Sequence, residues 1–285
     1  GPISGKQKRT MLENYTTYIE RQWFTGLSSR LSLFQDNFSP LNAPFRKTTE
    51  NTLDTTNVER ISTAGFKLNL NFGWGENNLP ATFEQLNAPF FFRKYPLVSF
   101  EVAVGIKDFL NSQFNYQHYK LKLEYQLRVN KAGYLNILAE GGIINGNLPY
   151  QLLHVPNGNP WLVNDDRGFN LMNYMEFVSD RYVSLQLEHH FNGLLFNLIP
   201  GVRKAKLRSL LIAKLYYGTL TNANQNGNYL LANEMEVLQH PYLEVGFGIE
   251  NILKISRIDF TWRLTQRDNS NTLGFIGKPS FYFRF

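Results

Sequence analysis

The sequence predicts an all-β protein, a transmembrane antiparallel β-barrel to which this chain contributes about eleven strands. Three observations carry that expectation. The last residues, GFIGKPSFYFRF, place Phe275, Phe281, Phe283 and Phe285 on one parity and Ser280, Tyr282 and Arg284 on the other. A strand sends successive side chains to opposite faces, so one face here is aromatic and the other polar. An aromatic edge strand exposed to water invites aggregation, whereas a closed barrel gives that face to lipid and removes the edge. Second, no apolar run approaches the ~18 residues of a membrane-spanning helix. The mean hydropathy of −0.31 and the 15% aromatic content suit strands apolar on one side only. Third, the connections alternate in length, save that the 75–95 connection falls on the short side and is long. Short ones fall at 24–26, 130–133 and 251–255, and long outer loops near 37–60, 145–180 and 220–240. Membrane barrels have short turns at one end and long loops at the other.

The elements follow in order. Arg9–Trp23 is the first strand, with Tyr15, Ile19 and Trp23 on one parity, and Leu27–Gln35 the second, with Leu27, Leu31 and Leu33 opposite Ser28, Arg30 and Ser32. The polar stretch 37–60, with Pro40 and Pro44, reads as loop. Ala64–Trp74 sets Phe66, Leu68, Leu70 and Phe72 against Lys67, Asn69 and Asn71. The stretch 75–95 is ambiguous. Val98–Lys107 and His118–Val129 alternate again, and the second is the most regular of all: Tyr119, Leu121, Leu123, Tyr125 and Leu127 oppose Lys120, Lys122, Glu124, Gln126 and Arg128. Asn130–Gly133 is a tight turn leading into Tyr134–Ile144. After the 145–180 loop come strands at Val183–Phe191, Arg208–Leu220, Leu243–Ile249 and Ile258–Leu264, then the terminal one, which should close the barrel against the first. The domain reading is the carboxyl-terminal portion of one barrel over 1–285. Gly1-Pro2 without Met points to a piece of a longer, exported precursor.

Composition excludes several function classes. There is no cysteine, hence no disulfide and no thiolate metal site. The net charge of +6 is spread along strands of polar parity instead of clustering, which argues against nucleic acid as a partner. His189 and His190 are adjacent on a strand and so face opposite sides, unable to share an ion. Asp165-Asp166 and Glu234-Met235-Glu236 lack a fuller ligand set. Arg203, Lys204, Lys206 and Arg208 form a basic run on the short-turn side, fit for phosphate head groups, a partner or plain water. No nucleophile–base spacing, phosphate loop or HExxH occurs, so neither an enzyme nor a cofactor is expected.

Two long strings carry a family resemblance. Phe169–Gly218, FNLMNYMEFVSDRYVSLQLEHHFNGLLFNLIPGVRKAKLRSLLIAKLYYG, and His240–Leu264, HPYLEVGFGIENILKISRIDFTWRL, resemble a Bacteroidota family of outer-membrane barrels. Its members carry an amino-terminal carboxypeptidase-regulatory-like domain and have no established function. More distantly, the chain is similar to the BamA/TamA surface-antigen superfamily. Those are sixteen-stranded barrels that insert or export proteins, with an Arg-Gly-Phe/Tyr motif in a long outer loop followed by five strands. Here Arg167-Gly168-Phe169 lies in the 145–180 loop. The resemblance implies that Arg167 reaches into the lumen and pairs with an acidic wall residue. Glu188, Glu244 and Asp259 have lumen parity and are the candidates. It also implies that Phe281, Phe283 and Phe285 form a carboxyl-terminal signal read by the barrel assembly machinery in the outer membrane. The expected function is non-enzymatic assistance of protein assembly or translocation. The alternative is a ligand-passing barrel or a structural subunit of an envelope complex. About five strands of the superfamily's sixteen, and the amino-terminal domain, have no counterpart in this chain.

Overall fold

The computed structural model describes residues 10–41, 44–48, 55–74, 95–159, 161–165, 167–201, 203–225, 227, 229–232, 235–268 and 272–281. Thirteen strands run through them: β1 (Thr10–Phe24), β2 (Leu27–Pro40), β3 (Phe45–Thr48), β4 (Thr55–Val58), β5 (Ile61–Gly73), β6 (Leu97–Gly105), β7 (Tyr116–Arg128), β8 (Tyr134–Asn145), β9 (Arg181–His190), β10 (Arg208–Thr219), β11 (Tyr242–Ile252), β12 (Ser256–Arg263) and β13 (Phe275–Phe281). Eleven form one antiparallel sheet in the order β1-β2-β5-β6-β7-β8-β9-β10-β11-β12-β13, and β3–β4 is a separate hairpin. Each strand of the sheet pairs with its neighbour in sequence, the up-and-down pattern of a membrane barrel.

One expectation is corrected here. Among the described residues β1 and β13 are the two ends of the sheet and do not pair, so these eleven strands make an open section. A barrel closes only where strand number, tilt and shear bring its first and last strands into register, and among the described residues no pairing joins β1 to β13. The 37–60 stretch also differs from a plain loop. β2 continues to Pro40, pairing Asn37 with Ser62 and Phe38 with Ile61, and Phe45–Thr48 pairs with Thr55–Val58. Residues 75–94 lie outside the described ones.

Burial is inverted relative to a soluble sheet. Lys122, Glu124, Lys214, Glu244, Arg257 and Arg263 are buried, with Glu244 at 1% and Arg263 at 0% exposure. On the opposite face, Leu121 is 53% and Leu211 48% exposed. A sheet that hides its charges and shows its leucines has lipid on the apolar side, because an exposed leucine there loses nothing and a buried charge needs the partners that the inner face supplies. The residues of the β7 alternation divide as the sequence indicates: Lys122, Glu124 and Gln126 inward, Leu121 and Leu127 outward.

Two apolar clusters lie off the strands' outer face. One gathers the long connections at one end of the sheet, packing Phe45, Phe114, Leu148, Tyr150, Leu153, Val178, Leu220 and Met235. The hairpin joins it through Phe45, and a bridge from Lys47 to Tyr229 ties it to the 220–240 connection. The second cluster, Phe169, Met172, Phe177, Tyr182, Tyr216, Leu238 and Tyr242, fastens the 145–180 connection to the inner face of β9, β10 and β11. The opposite, short-turn end needs tight geometry. Gly133, between β7 and β8, has φ +99, and a Cβ there would lie 1.8 Å from the His190 carbonyl oxygen. Only glycine suits both conditions.

Candidate functional site

The register of the sheet builds a tier of side chains across the inner face. Glu124 on β7 stands opposite Leu138 on β8, and Leu138 opposite Gln186 on β9. Gln186 faces Lys214 on β10, Lys214 faces Glu244 on β11, and Glu244 faces Arg263 on β12. Directly opposite residues in neighbouring strands share a face, so these form one row running across the strands. Five of the six are polar or charged.

The 145–180 connection lies on this row, and the row binds it mainly through its backbone. The Gln186 amide donates to the Arg167 carbonyl at 2.8 Å. Lys214 Nζ donates to the Gly168 carbonyl and, at 3.4 Å, to that of Asp165. Glu244 accepts the backbone N–H of Asn170 at 3.0 Å and of Leu171 at 2.7 Å, and the Tyr242 hydroxyl at 2.6 Å. Arg263 donates to the Leu171 carbonyl at 3.2 Å and forks onto Glu176 at 3.1 and 2.7 Å. Its guanidinium also lies 4.8 Å from the Tyr242 ring centroid. On β13, Lys278 Nζ donates to the Asn159 carbonyl at 2.6 Å, and the Asn164 N–H reaches the Pro279 carbonyl at 2.9 Å. Buried backbone polar groups need partners, and the wall of the barrel supplies them to Asn159, Asn164, Asp165, Arg167, Gly168, Asn170 and Leu171.

The loop also has its own framework. The Asn159 N–H donates to Phe169 O and the Phe169 N–H to Asn157 O, each at 2.8 Å. Asn159, Asn164 and Asn170 join through side-chain amides, Asn170 donating to Asn164 at 2.6 Å and Asn159 to Asn170 at 3.0 Å. Phe169 sits edge-on to Tyr216 and Tyr242, with centroids 6.0 and 5.6 Å away. Gly168 does not mark a left-handed turn. A Cβ there would fall 2.8 Å from Asp165 Oδ2, so the glycine allows close approach within the loop. Further along the loop, burial, aided by the charges of Lys120 and His118, holds the His154 imidazole well below its usual pKa. That ring stacks on Tyr182 at 3.4 Å between centroids. Burial raises the Tyr150 phenol.

Arg167 pairs with Glu124, Nη1 to Oε1 at 3.3 Å, and Glu124 also meets Lys122 at 3.0 Å. Glu124 lies on the strand two before the loop, while the sequence search looked only at strands after it. The three named candidates are engaged elsewhere. Glu244 holds the loop backbone, as described. Glu188 takes a bidentate Arg257 at 2.9 and 2.8 Å and a His190 ring nitrogen at 2.5 Å. Asp259 accepts Arg257 Nε at 2.6 Å. Glu188, Asp259, Arg257, His190 and Glu250 thus form a second charged group nearer the short-turn end, with His190 Nδ1 3.2 Å from Glu250. His189, on the outer face, meets the Ala132 carbonyl at 3.0 Å instead. Among the described residues no group of three or more His, Asp or Glu is arranged to hold a metal. Phe283 and Phe285 lie outside the described residues, as does the side chain of Phe281. Sequence reasoning missed Glu124, Arg257, Arg263 and Glu176. All but Glu176 have inner parity, and that parity was the available signal.

These features define a class: an eleven-stranded, up-and-down antiparallel section of a β-barrel, with a long connection seated on its inner face. The chain belongs to the family described as "Family of unknown function (DUF5686) C-terminal domain", matched over residues 7–249. Among solved structures it is similar to BamA from Haemophilus ducreyi lacking POTRA domains 1–3. The TM-score is 0.55 at 12% identity, covering 96% of this chain and 55% of that one. The chain therefore spans about half the length of that relative, and at this identity the likeness speaks to fold alone. CdiB from Acinetobacter baumannii matches with TM-score 0.47 and 13% identity, over 95% of this chain and 42% of that chain. The outer membrane protein OprD from Pseudomonas aeruginosa gives 0.26 and 12%, over 96% and 94%. No curated protein matches the sequence.

Proposed function

We propose that this chain is the carboxyl-terminal portion of a β-barrel in the bacterial outer membrane, and that the barrel assists assembly or translocation of other outer-membrane or surface proteins. The observation that carries this reading is the seating of the described residues between 157 and 176 on side chains of β7, β9, β10, β11 and β12. A wall that binds a loop's backbone from four consecutive strands, β9 to β12, is suited to hold polypeptide in the lumen, and it leaves this part of the interior filled. Arg167-Gly168-Phe169 anchors the loop, with Glu124 as the wall partner in place of Glu188, Glu244 or Asp259. In this reading Phe281, Phe283 and Phe285 are the signal through which the assembly machinery inserts the barrel, the lipid-facing residues meet outer-membrane lipid, and the source is a Bacteroidota species.

Depletion of the protein in cells tests the proposal. The expected result is a several-fold fall in the heat-modifiable, folded forms of other outer-membrane barrels, with their synthesis unchanged. Normal levels of those barrels together with loss of uptake of a solute would instead support the ligand-passing alternative and overturn the assembly reading.

A further inference from the structure

The short-turn end of the sheet has a connection unlike a plain turn. Between β9 and β10, the described residues of the connection include two short helical turns, at Phe196–Leu198 and Arg203–Ala205. Their backbone is internally bonded, Asn197 N–H to Gly193 O at 2.9 Å and Arg203 N–H to Ile199 O at 3.0 Å. The compact segment nevertheless turns its large apolar side chains outward. Leu198 is 77% exposed, and Leu194, Leu195 and Ile199 are exposed too. The neighbouring β11–β12 turn does the same with Leu253, at 85%, and Ile255. Asn251 Nδ2 donates to the Lys206 carbonyl at 2.7 Å, which joins the two into one surface.

Charge completes the pattern. Arg203, Lys204 and Lys206 are exposed beside those leucines. Lys254 lies in the adjoining turn and Lys131 in the β7–β8 turn, and none of the connections 129–133, 191–207 and 253–255 contains Asp or Glu. Apolar side chains next to acid-free cations, at the level where the strands leave lipid, are suited to the boundary between acyl chains and anionic head groups. The surface continues the lipid-facing side of the sheet, since Leu211 on β10 and Val245 on β11 are exposed on that same side.

We infer that residues 194–199 and 203–206, with the 253–255 turn, form a binding surface for anionic phospholipid, the leucines entering the acyl region and Arg203, Lys204 and Lys206 meeting phosphate. The inference is independent of the assembly function and rests only on the strands crossing a membrane. Each cation near an anionic surface contributes about a fivefold enrichment at low salt. Screening within ~3 Å at 1 M salt removes it.

The chain has no cysteine, so a single Leu198→Cys substitution gives a unique site for a fluorescent label. The protein is placed in phosphatidylcholine nanodiscs containing either brominated phosphatidylglycerol or brominated phosphatidylcholine at equal fraction. The expected result is several-fold stronger quenching by the brominated phosphatidylglycerol at low salt. The preference should vanish at high salt and in the R203Q/K204Q/K206Q background. A label at Val245→Cys, on the outer face of β11, should be quenched equally by both lipids. If it is quenched by neither, the transmembrane reading itself fails. If the Val245 label is quenched while the label at 198 is not, or is quenched without regard to head-group charge, the anionic-lipid surface is overturned.

Discussion

Arg263→Met should release the inner loop from the barrel wall. Arg263 is fully buried and supplies both nitrogens of its fork to Glu176, whose side chain is 4% exposed. It also donates to the carbonyls of Leu171 and Thr265 and to that of Gln266. Removing the cation strands a carboxylate in a dry site, a class of change that costs about 3–5 kcal/mol. Methionine fills similar volume, so the loss is of charge and hydrogen bonds and not of packing. Limited proteolysis checks the outcome. The 145–180 loop should be cleaved many-fold faster while the strands remain protected. Glu176→Gln in the same chain should recover part of the protection, because two partners of one interaction do not add independently. Cleavage unchanged in Arg263→Met would mean that the fork does not hold the loop.

Leu121→Arg should block insertion into bilayers. Leu121 lies near the middle of β7 on the outer face, opposite Phe100 of β6 and Gly141 of β8. An arginine on the lipid face near the midplane costs about 2–4 kcal/mol. Gln126→Arg, five residues along on the inner face, loses the 2.8 Å bond from Gln126 to Asn136, worth about 1 kcal/mol. Folding yield into vesicles, read by the heat-dependent gel shift of the folded form, should therefore fall steeply for the first and little for the second. Similar yields for both would contradict the assignment of the two faces.

The strands were legible because parity is a local property. His118–Val129 can be read residue by residue, and β7 places Lys122, Glu124 and Gln126 inside as that reading requires. The long 145–180 connection and its Arg-Gly-Phe motif were legible too. The tier was not, since the row from Glu124 to Arg263 depends on the register of five consecutive strand pairs, and register is set by turns and bulges far apart in sequence. Glu124 escaped notice for that reason: it stands two strands before the loop it binds. The β3–β4 hairpin was hidden in a polar stretch because only Phe45 and Val58 mark it, and Phe45 is buried by Tyr150 and its neighbours from other connections. Closure of β13 on β1 was expected from the need to satisfy every edge in lipid, a requirement on the whole barrel that these eleven strands do not meet alone.

The central claim is that the described residues between 157 and 176 are seated on the inner face of the sheet. Because the chain has no cysteine, the paired substitutions Arg167→Cys and Gln186→Cys introduce the only thiols. The Gln186 amide lies 2.8 Å from the Arg167 carbonyl, so a short bifunctional maleimide can span the two positions. The account predicts rapid intramolecular cross-linking in intact membranes, seen as loop and wall fragments that stay joined after proteolysis. Absence of the cross-link, with both positions labelled freely by a membrane-impermeant maleimide, would contradict it.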